Sequence, residues 1–452
     1  MPENPKPDLP LIILHGWSDT SKSFQSLVDY LKAQGFKVVE IWLGDYISMH
    51  DKIEMKDLGF GFIRALADQK IKTARHSFDL IVHSTGGLVA REFLRQVCTG
   101  ADGTRDATST PVRRLCMLAP ANFGSPLAAL GKSVLGRILK GWRWDFRHLG
   151  ETGQRILNCL ELASPYSWQL AVDDLFDANF SIFDPNNVLA TVMVGSAPYS
   201  GIREIAHEPG SDGTVRVSTA NLNAHYFLAD FVDPEKPVLK QKIDVTHRIA
   251  FAVFARNHTT IHDPNEEVQH AEWEKTLLDS LSVTPANYQV HVRNCENLTA
   301  ATFAARPNDP NFHQYMHVVF RLRDQFGAAI ADYVIDFYDP DDRADVAYRE
   351  IHGKVIEKVT SYSLDSSYRS FLLDITDLVA FVDAKPDYEI DLSVAAARIS
   401  DDIGFRNPSN KAVGLDVFHS KEKTFMYPNE PVLVELILYR DPEKGVFRLK
   451  RA

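Results

Sequence analysis

Short apolar runs recur through the first part of the chain, and the segments between them carry helical spacing. Pro10 to Leu14 is followed by Phe24, Leu27, Val28 and Leu31, and Lys37 to Leu43 by Leu58, Phe62, Ile63 and Leu66. Asp79 to Val82 is followed by Phe93, Leu94 and Val97, and Val112 to Leu118, Val188 to Val194 and Ile249 to Phe254 continue the series. Runs without polar alternation are strands covered on both faces, and strands alternating with helices predict a parallel sheet with helices on either side. Ligands of such sheets gather at the carboxyl ends of the strands. The residues just beyond each run are therefore the candidates for chemistry.

One of these strand ends carries Val82-His83-Ser84-Thr85-Gly86-Gly87. A serine on a sharp strand-to-helix turn is lifted clear of the sheet, and the N–H of the next residue is left free to meet an oxyanion. Nucleophilic ester cleavage also needs a base and an acid to orient it. Asp212 stands in the turn-rich stretch Gly210-Ser211-Asp212-Gly213-Thr214-Val215, beyond the Val188 to Val194 run, and His258 follows the last strand in Asn257-His258. His262 is the rival base, four residues on. His247 precedes the last strand and His225 lies before it begins, so neither falls at the right end. Asp184 and Asp230 are the next acids after Asp212.

The chain resembles a lipase/esterase of the α/β-hydrolase superfamily. The resemblance runs from about residue 8 to 282 and rests on His15-Gly16-Trp17, His83-Ser84-Thr85-Gly86-Gly87, Ser211-Asp212-Gly213-Thr214-Val215 and Asn257-His258, in the order serine, acid, histidine. It implies that Ser84 attacks an acyl carbonyl, that His258 is general base and then acid, and that Asp212 holds the imidazole. It also implies an oxyanion hole from the backbone N–H groups of Trp17 and Thr85. His15, Trp142 and Trp144 are the candidate substrate contacts. One position departs from the family pattern: glycine usually stands two residues before the serine, and here it is Val82, whose branched side chain crowds the turn.

Between Ser125 and Ile182 the strand rhythm gives way to helical spacing at Leu127, Leu130, Val134 and Ile138, with Trp142, Trp144, Tyr166 and Trp168. A helical cap over the site is expected at about 125–182. Lys132, Arg137, Lys140, Arg143 and Arg147 make its first part cationic in a chain of net charge −11. Such a lid suits transient contact with an anionic lipid interface, while a stripe packed on the core is the plainer alternative. The overall negative charge argues against nucleic acid as the main partner.

After the helical stretch Val268 to Leu281, Thr284-Pro285-Ala286-Asn287 reads as a boundary. Tyr388, Ile390, Leu392 and Val394 then alternate with polar residues, as do Tyr333, Ile335 and Phe337. The expected organisation is an α/β-hydrolase core over 1–283, with a mostly parallel sheet, and an antiparallel β-sandwich of open role over 284–452.

Cys98, Cys116, Cys159 and Cys295 lack CxxC spacing and are expected as buried thiols. No HExxH or paired Cys/His spacing calls for a metal, and no cofactor is implied. The acidic cluster Asp339, Asp341, Asp342, Asp345 and Glu350 has Ala344 where an EF-hand loop requires glycine, so a solvated acidic turn is expected there, with a calcium site on a sandwich loop as the alternative. Asn297-Leu298-Thr299 fits a glycosylation sequon, which matters only in a secreted chain. Met1 to Pro10 has no apolar signal region, and the default expectation is a cytoplasmic protein, with secretion by another route as the alternative. The expected activity is hydrolysis of carboxylic esters or lipids. Amidase, thioesterase and acyltransferase chemistry on the same triad is the first alternative, and a silent fold used for binding the second. The oligomeric state is not legible.

Overall fold

The computed structural model describes residues 9–14, 24–46, 50–129, 153–199, 208–385, 387–400, 403–408, 414–419 and 425–442. The strands, in chain order, are β1 (Pro10–Leu14), β2 (Lys37–Ile41), β3 (Phe78–His83), β4 (Val112–Leu118), β5 (Leu189–Gly195), β6 (His225–Phe231), β7 (Val238–Asp244) and β8 (Ala250–Phe254). They are followed by β9 (Tyr315–Asp324), β10 (Tyr333–Tyr338), β11 (Ile356–Ser361), β12 (Tyr368–Asp374), β13 (Glu389–Ala396), β14 (Ile403–Phe405), β15 (Leu415–His419), β16 (Pro431–Leu438) and β17 (Arg440–Pro442). Two compact units result: Met1–Asn223 with Val245–His313, and Ala224–Asp244 with Gln314–Ala452.

In the first unit a wholly parallel sheet runs in the order β2-β1-β3-β4-β5-β8. Away from the edge strand β2, the apolar runs are buried on both faces, as their lack of alternation requires: β3, β5 and β8 have no residue outside the buried class. Asp79 is the polar intruder in β3, and it is held by Arg113, which forks onto both its carboxylate oxygens, and by Arg114. Helices Gln25–Ala33, Met55–Asp68 and Gly86–Val97 bury the residues that carry the helical spacing, Leu27, Val28, Leu31, Leu58, Phe62, Leu66, Phe93 and Leu94 among them. In the cap region the described helices are Pro126–Ala129, Gln154–Leu160 and Pro165–Asp174. The basic stretch with Trp142 and Trp144 lies outside the described residues.

The division between units differs from the expected one at two places. The turn at Thr284–Asn287 leads into a helix, Tyr288–Ala304, that packs on β8 within the first unit, so the change of unit comes at His313/Gln314 rather than at 283/284. The hairpin of β6 and β7, placed by sequence in the catalytic domain, belongs to the second unit, where β6 pairs with β16.

The second unit is a sandwich. A six-stranded sheet, β11-β12-β9-β16-β6-β7, shares one core with a three-stranded sheet, β10-β13-β15. Phe320, Phe371 and Val434 from the first meet Ile335, Phe337 and Leu392 from the second in that core. Most neighbours are antiparallel, but β16 runs parallel to both β9 and β6. His225 on β6 bonds Asp244 on β7 and Glu430 before β16, each at 2.6 Å, and so ties the hairpin to the sheet. In the acidic turn, Asp339 accepts from the Asp341 N–H and Asp342 from the Ala344 and Ala347 N–H groups, so these carboxylates cap backbone. All four cysteines are free; burial pushes the Cys98 thiol up to about 11 and those of Cys116 and Cys295 up to about 12. No helix among the described residues is long and apolar enough to cross a membrane.

His291, on the helix that packs on β8, is buried and bonds Thr191 of β5 at 2.9 Å. Burial lowers its pKa from 6.5 to about 4. Between those values the unfolded chain binds a proton that the folded chain refuses, so stability falls as pH drops through this window and is unaffected by His291 above it. The loss expected from this residue is on the order of 3 kcal/mol. Urea unfolding of His291→Gln at pH 4 to 7 should show a flatter pH dependence than the parent.

Candidate active site

Ser84 follows the last residue of β3 and has φ +54°, a left-handed conformation that a side chain rarely adopts. Its backbone is held from the neighbouring strand: the Ser84 N–H donates to the Leu118 carbonyl, and the Ser84 carbonyl accepts from Ala121 and Gly87. A Cβ at Gly86, where the family pattern also has glycine, would stand 3.2 Å from the Val82 Cβ, so the two positions lie side by side in the elbow. The Thr85 N–H enters no hydrogen bond among the described residues.

Asp212 and His258 are brought together by the loops after β5 and β8. His258 Nδ1 lies 2.9 Å from Asp212 Oδ2, and the His258 N–H donates to the Asp212 carbonyl. Oδ1 of Asp212 accepts from the Thr214 and Val215 N–H groups, so the fully buried carboxylate has three donors. With Nδ1 donating to Asp212, the neutral imidazole carries its lone pair on Nε2, which is buried and has no hydrogen-bond partner. The imidazole ring lies 4.6 Å from that of His83, the residue before Ser84. The Ser84 hydroxyl also enters no hydrogen bond among the described residues, so no Ser84–His258 hydrogen bond is made. Such contacts often tighten only with substrate present.

The loop after β4 joins the two halves. Beyond Ala121, which binds the Ser84 carbonyl, the Phe123 N–H donates to Thr219 and Ser125 Oγ to the Thr214 carbonyl, 2.5 Å away. The rival residues have other occupations. His262 stacks on Phe24 at 4.3 Å, His247 pairs with Asp184 at 2.9 Å before β5, and His225 and Asp230 lie in the second unit. His15 and Trp17, like Trp142 and Trp144, lie outside the described residues.

Two supports were not visible in the sequence. Arg256, two residues before His258, gives its guanidinium to the carbonyls of Thr260, Asp263, Glu266 and Val268 and lies over Trp273, which fixes the loop beyond the histidine. Burial lowers its pKa to about 10. Arg91, on the helix that follows Ser84, forks onto Asp174 at 2.8 and 2.9 Å and donates to the Asn122 carbonyl. Burial raises the Asp174 carboxyl even against this partner, a sign that desolvation outweighs the Coulomb gain. Arg256 had no local signal, because its partners are carbonyls. Arg91 stands among apolar residues of an otherwise buried helix, which was the available hint.

A parallel sheet with helices, a serine on a strained strand-to-helix turn, and an Asp–His pair at the same strand ends make this an α/β-hydrolase fold. Among solved structures, phospholipase PlaB from Legionella pneumophila superposes with a TM-score of 0.81 at 24% identity, over 98% of this chain and 96% of that one. The same phospholipase in complex with thio-NAD gives a TM-score of 0.77 at 23% identity over the same shares. The mature lipase BlEst2 from Bacillus licheniformis gives 0.37 at 15% identity, over 60% of this chain and 91% of that one. No family model matches the sequence, and no curated protein matches it either.

Gly195, at the end of β5, lets the acid and base loops approach. A Cβ there would stand 2.0 Å from the Arg256 carbonyl oxygen and 3.2 Å from the Asp212 Cβ. Gly195→Ala should therefore destabilise the fold by about 3 kcal/mol or more, read as a lowered urea midpoint.

Proposed function

We propose that this protein is a serine hydrolase that cleaves carboxylic esters, lipid esters among them, through an acyl-enzyme on Ser84. The observation that carries the reading is the His258–Asp212 pair with an unbonded Nε2, beside a serine held at φ +54°. In this mechanism Ser84 Oγ attacks the ester carbonyl as its proton passes to His258 Nε2. The imidazolium so formed is stabilised by Asp212, and the Thr85 N–H, with that of Trp17 by family match, binds the oxyanion. Collapse expels the alkoxide, which takes the proton from Nε2. A water, deprotonated by the same nitrogen, then cleaves the acyl-enzyme and restores Ser84. Loss of one oxyanion donor costs about 3 kcal/mol in known enzymes, so the Thr85 N–H carries a sizeable share of the rate.

The lipid part of the proposal draws on two further observations. Lys132, Arg137, Lys140, Arg143 and Arg147 form a cationic stretch suited to an anionic interface, and a solved structure that superposes over 98% of this chain is named a phospholipase.

A fluorophosphonate probe should label the parent and not Ser84→Ala. Turnover of nitrophenyl esters should fall on the order of 10⁴-fold in Ser84→Ala and His258→Ala, and somewhat less in Asp212→Asn. Absence of label on the parent would refute the hydrolase reading. Faster cleavage of acetyl than of long-chain esters would refute its lipid part alone.

A further inference from the structure

We infer that His83 is a positioning residue that sets the distance between nucleophile and base. The inference rests on the proposed hydrolase function. His258 is anchored at three points. Two go to Asp212, through the backbone N–H and through Nδ1. The third is the His258 carbonyl, which lies 3.1 Å from Nε2 of His83. A carbonyl can only accept, so this nitrogen of His83 carries a proton and donates it. No other described residue donates to that carbonyl.

The three anchors have different consequences. The two Asp212 bonds fix the base relative to the acid but leave both free to shift together against the nucleophile. The His83 bond joins the base to the residue covalently next to Ser84. It therefore gives the Ser84–His258 separation a direct tether. The ring adds a second constraint, since it meets His258 at 4.6 Å, His262 at 5.1 Å edge-on and Phe24 at 5.4 Å edge-on. His83 is only 4% exposed. Packing at such a site would be met as well by a hydrocarbon ring without the cost of burying polar nitrogens, so the donor is what calls for imidazole here.

The test compares the full-length parent with His83→Phe, which keeps ring bulk and loses the donor. His83→Gln keeps an N–H near the reach of Nε2, and the amide of His83→Asn falls short. For His83→Phe, kcat on a short nitrophenyl ester should fall on the order of 10²-fold, the cost of a misplaced reacting group, with KM and the thermal midpoint close to the parent. His83→Gln should regain about tenfold of that loss, and His83→Asn should not. The low-field proton of the His258–Asp212 bond should exchange faster with solvent in His83→Phe and recover in His83→Gln.

Parent-like kcat in His83→Phe, a change confined to KM, or equal rates in the Gln and Asn variants would overturn the inference. If His83→Phe does not fold, the Gln-to-Asn ratio decides. If the parent itself neither labels with fluorophosphonate nor turns over, the hydrolase reading fails. The low-field proton then still tests His83: unchanged exchange in His83→Phe, or in His83→Asn where that variant alone folds, overturns the inference.

Discussion

The left-handed backbone of Ser84 is the constraint on which the rest of the first unit turns. A non-glycine residue in that conformation costs on the order of 1–3 kcal/mol and persists only when its surroundings over-determine it. Here β3 lies in the interior of the sheet, with β1 on one side and β4 on the other. The end of β4 then grips Ser84 from both directions, at its N–H through Leu118 and at its carbonyl through Ala121. The same loop runs on to Phe123 and Ser125, whose bonds to Thr219 and Thr214 hold the segment bearing Asp212. Ser84 and Asp212, which follow β3 and β5, are thus spaced by a hydrogen-bonded bridge from the strand between them.

That bridge explains why a sheet of buried apolar strands can carry a polar cluster at one end. The carboxylate of Asp212 has lost its water but is met by two backbone N–H groups and an imidazole, which is what a buried charge requires. Arg256 solves the opposite problem for the following loop. It donates to four carbonyls of the chain reversal, of which those of Thr260 and Asp263 also accept from backbone N–H groups, and it does so beside Trp273. Both are local solutions to burial, and together they leave His258 little freedom except at Nε2.

The strands of the first unit were legible because wholly apolar runs have few alternatives; β1 and β4 begin and end where their runs do. The elbow was legible because serine, glycine pair and helical spacing stand next to one another in the chain. The unit boundary was not. Helix Tyr288–Ala304 buries Tyr288, His291, Val292 and Cys295, a stripe that mixes polar and apolar residues and so follows a turn without announcing a helix. The hairpin of β6 and β7 was misassigned because its partner, β16, lies some two hundred residues further along, and pairing at that distance leaves no local mark. The Val82 departure was visible, but its close approach to Gly86 required the third dimension.

Among the described residues, the Ser84 hydroxyl, the Thr85 N–H and His258 Nε2 enter no hydrogen bond. His258 Nε2 is itself buried, where an unmet acceptor costs on the order of 1–3 kcal/mol. Many groups of the same unit are met, as the four carbonyls on Arg256 and the three donors on Asp212 illustrate, while Asn122 Oδ1 and Ser218 Oγ are also buried without a partner among the described residues. A hydroxyl, an acceptor nitrogen and a backbone donor in this arrangement are what the proposed acyl transfer needs.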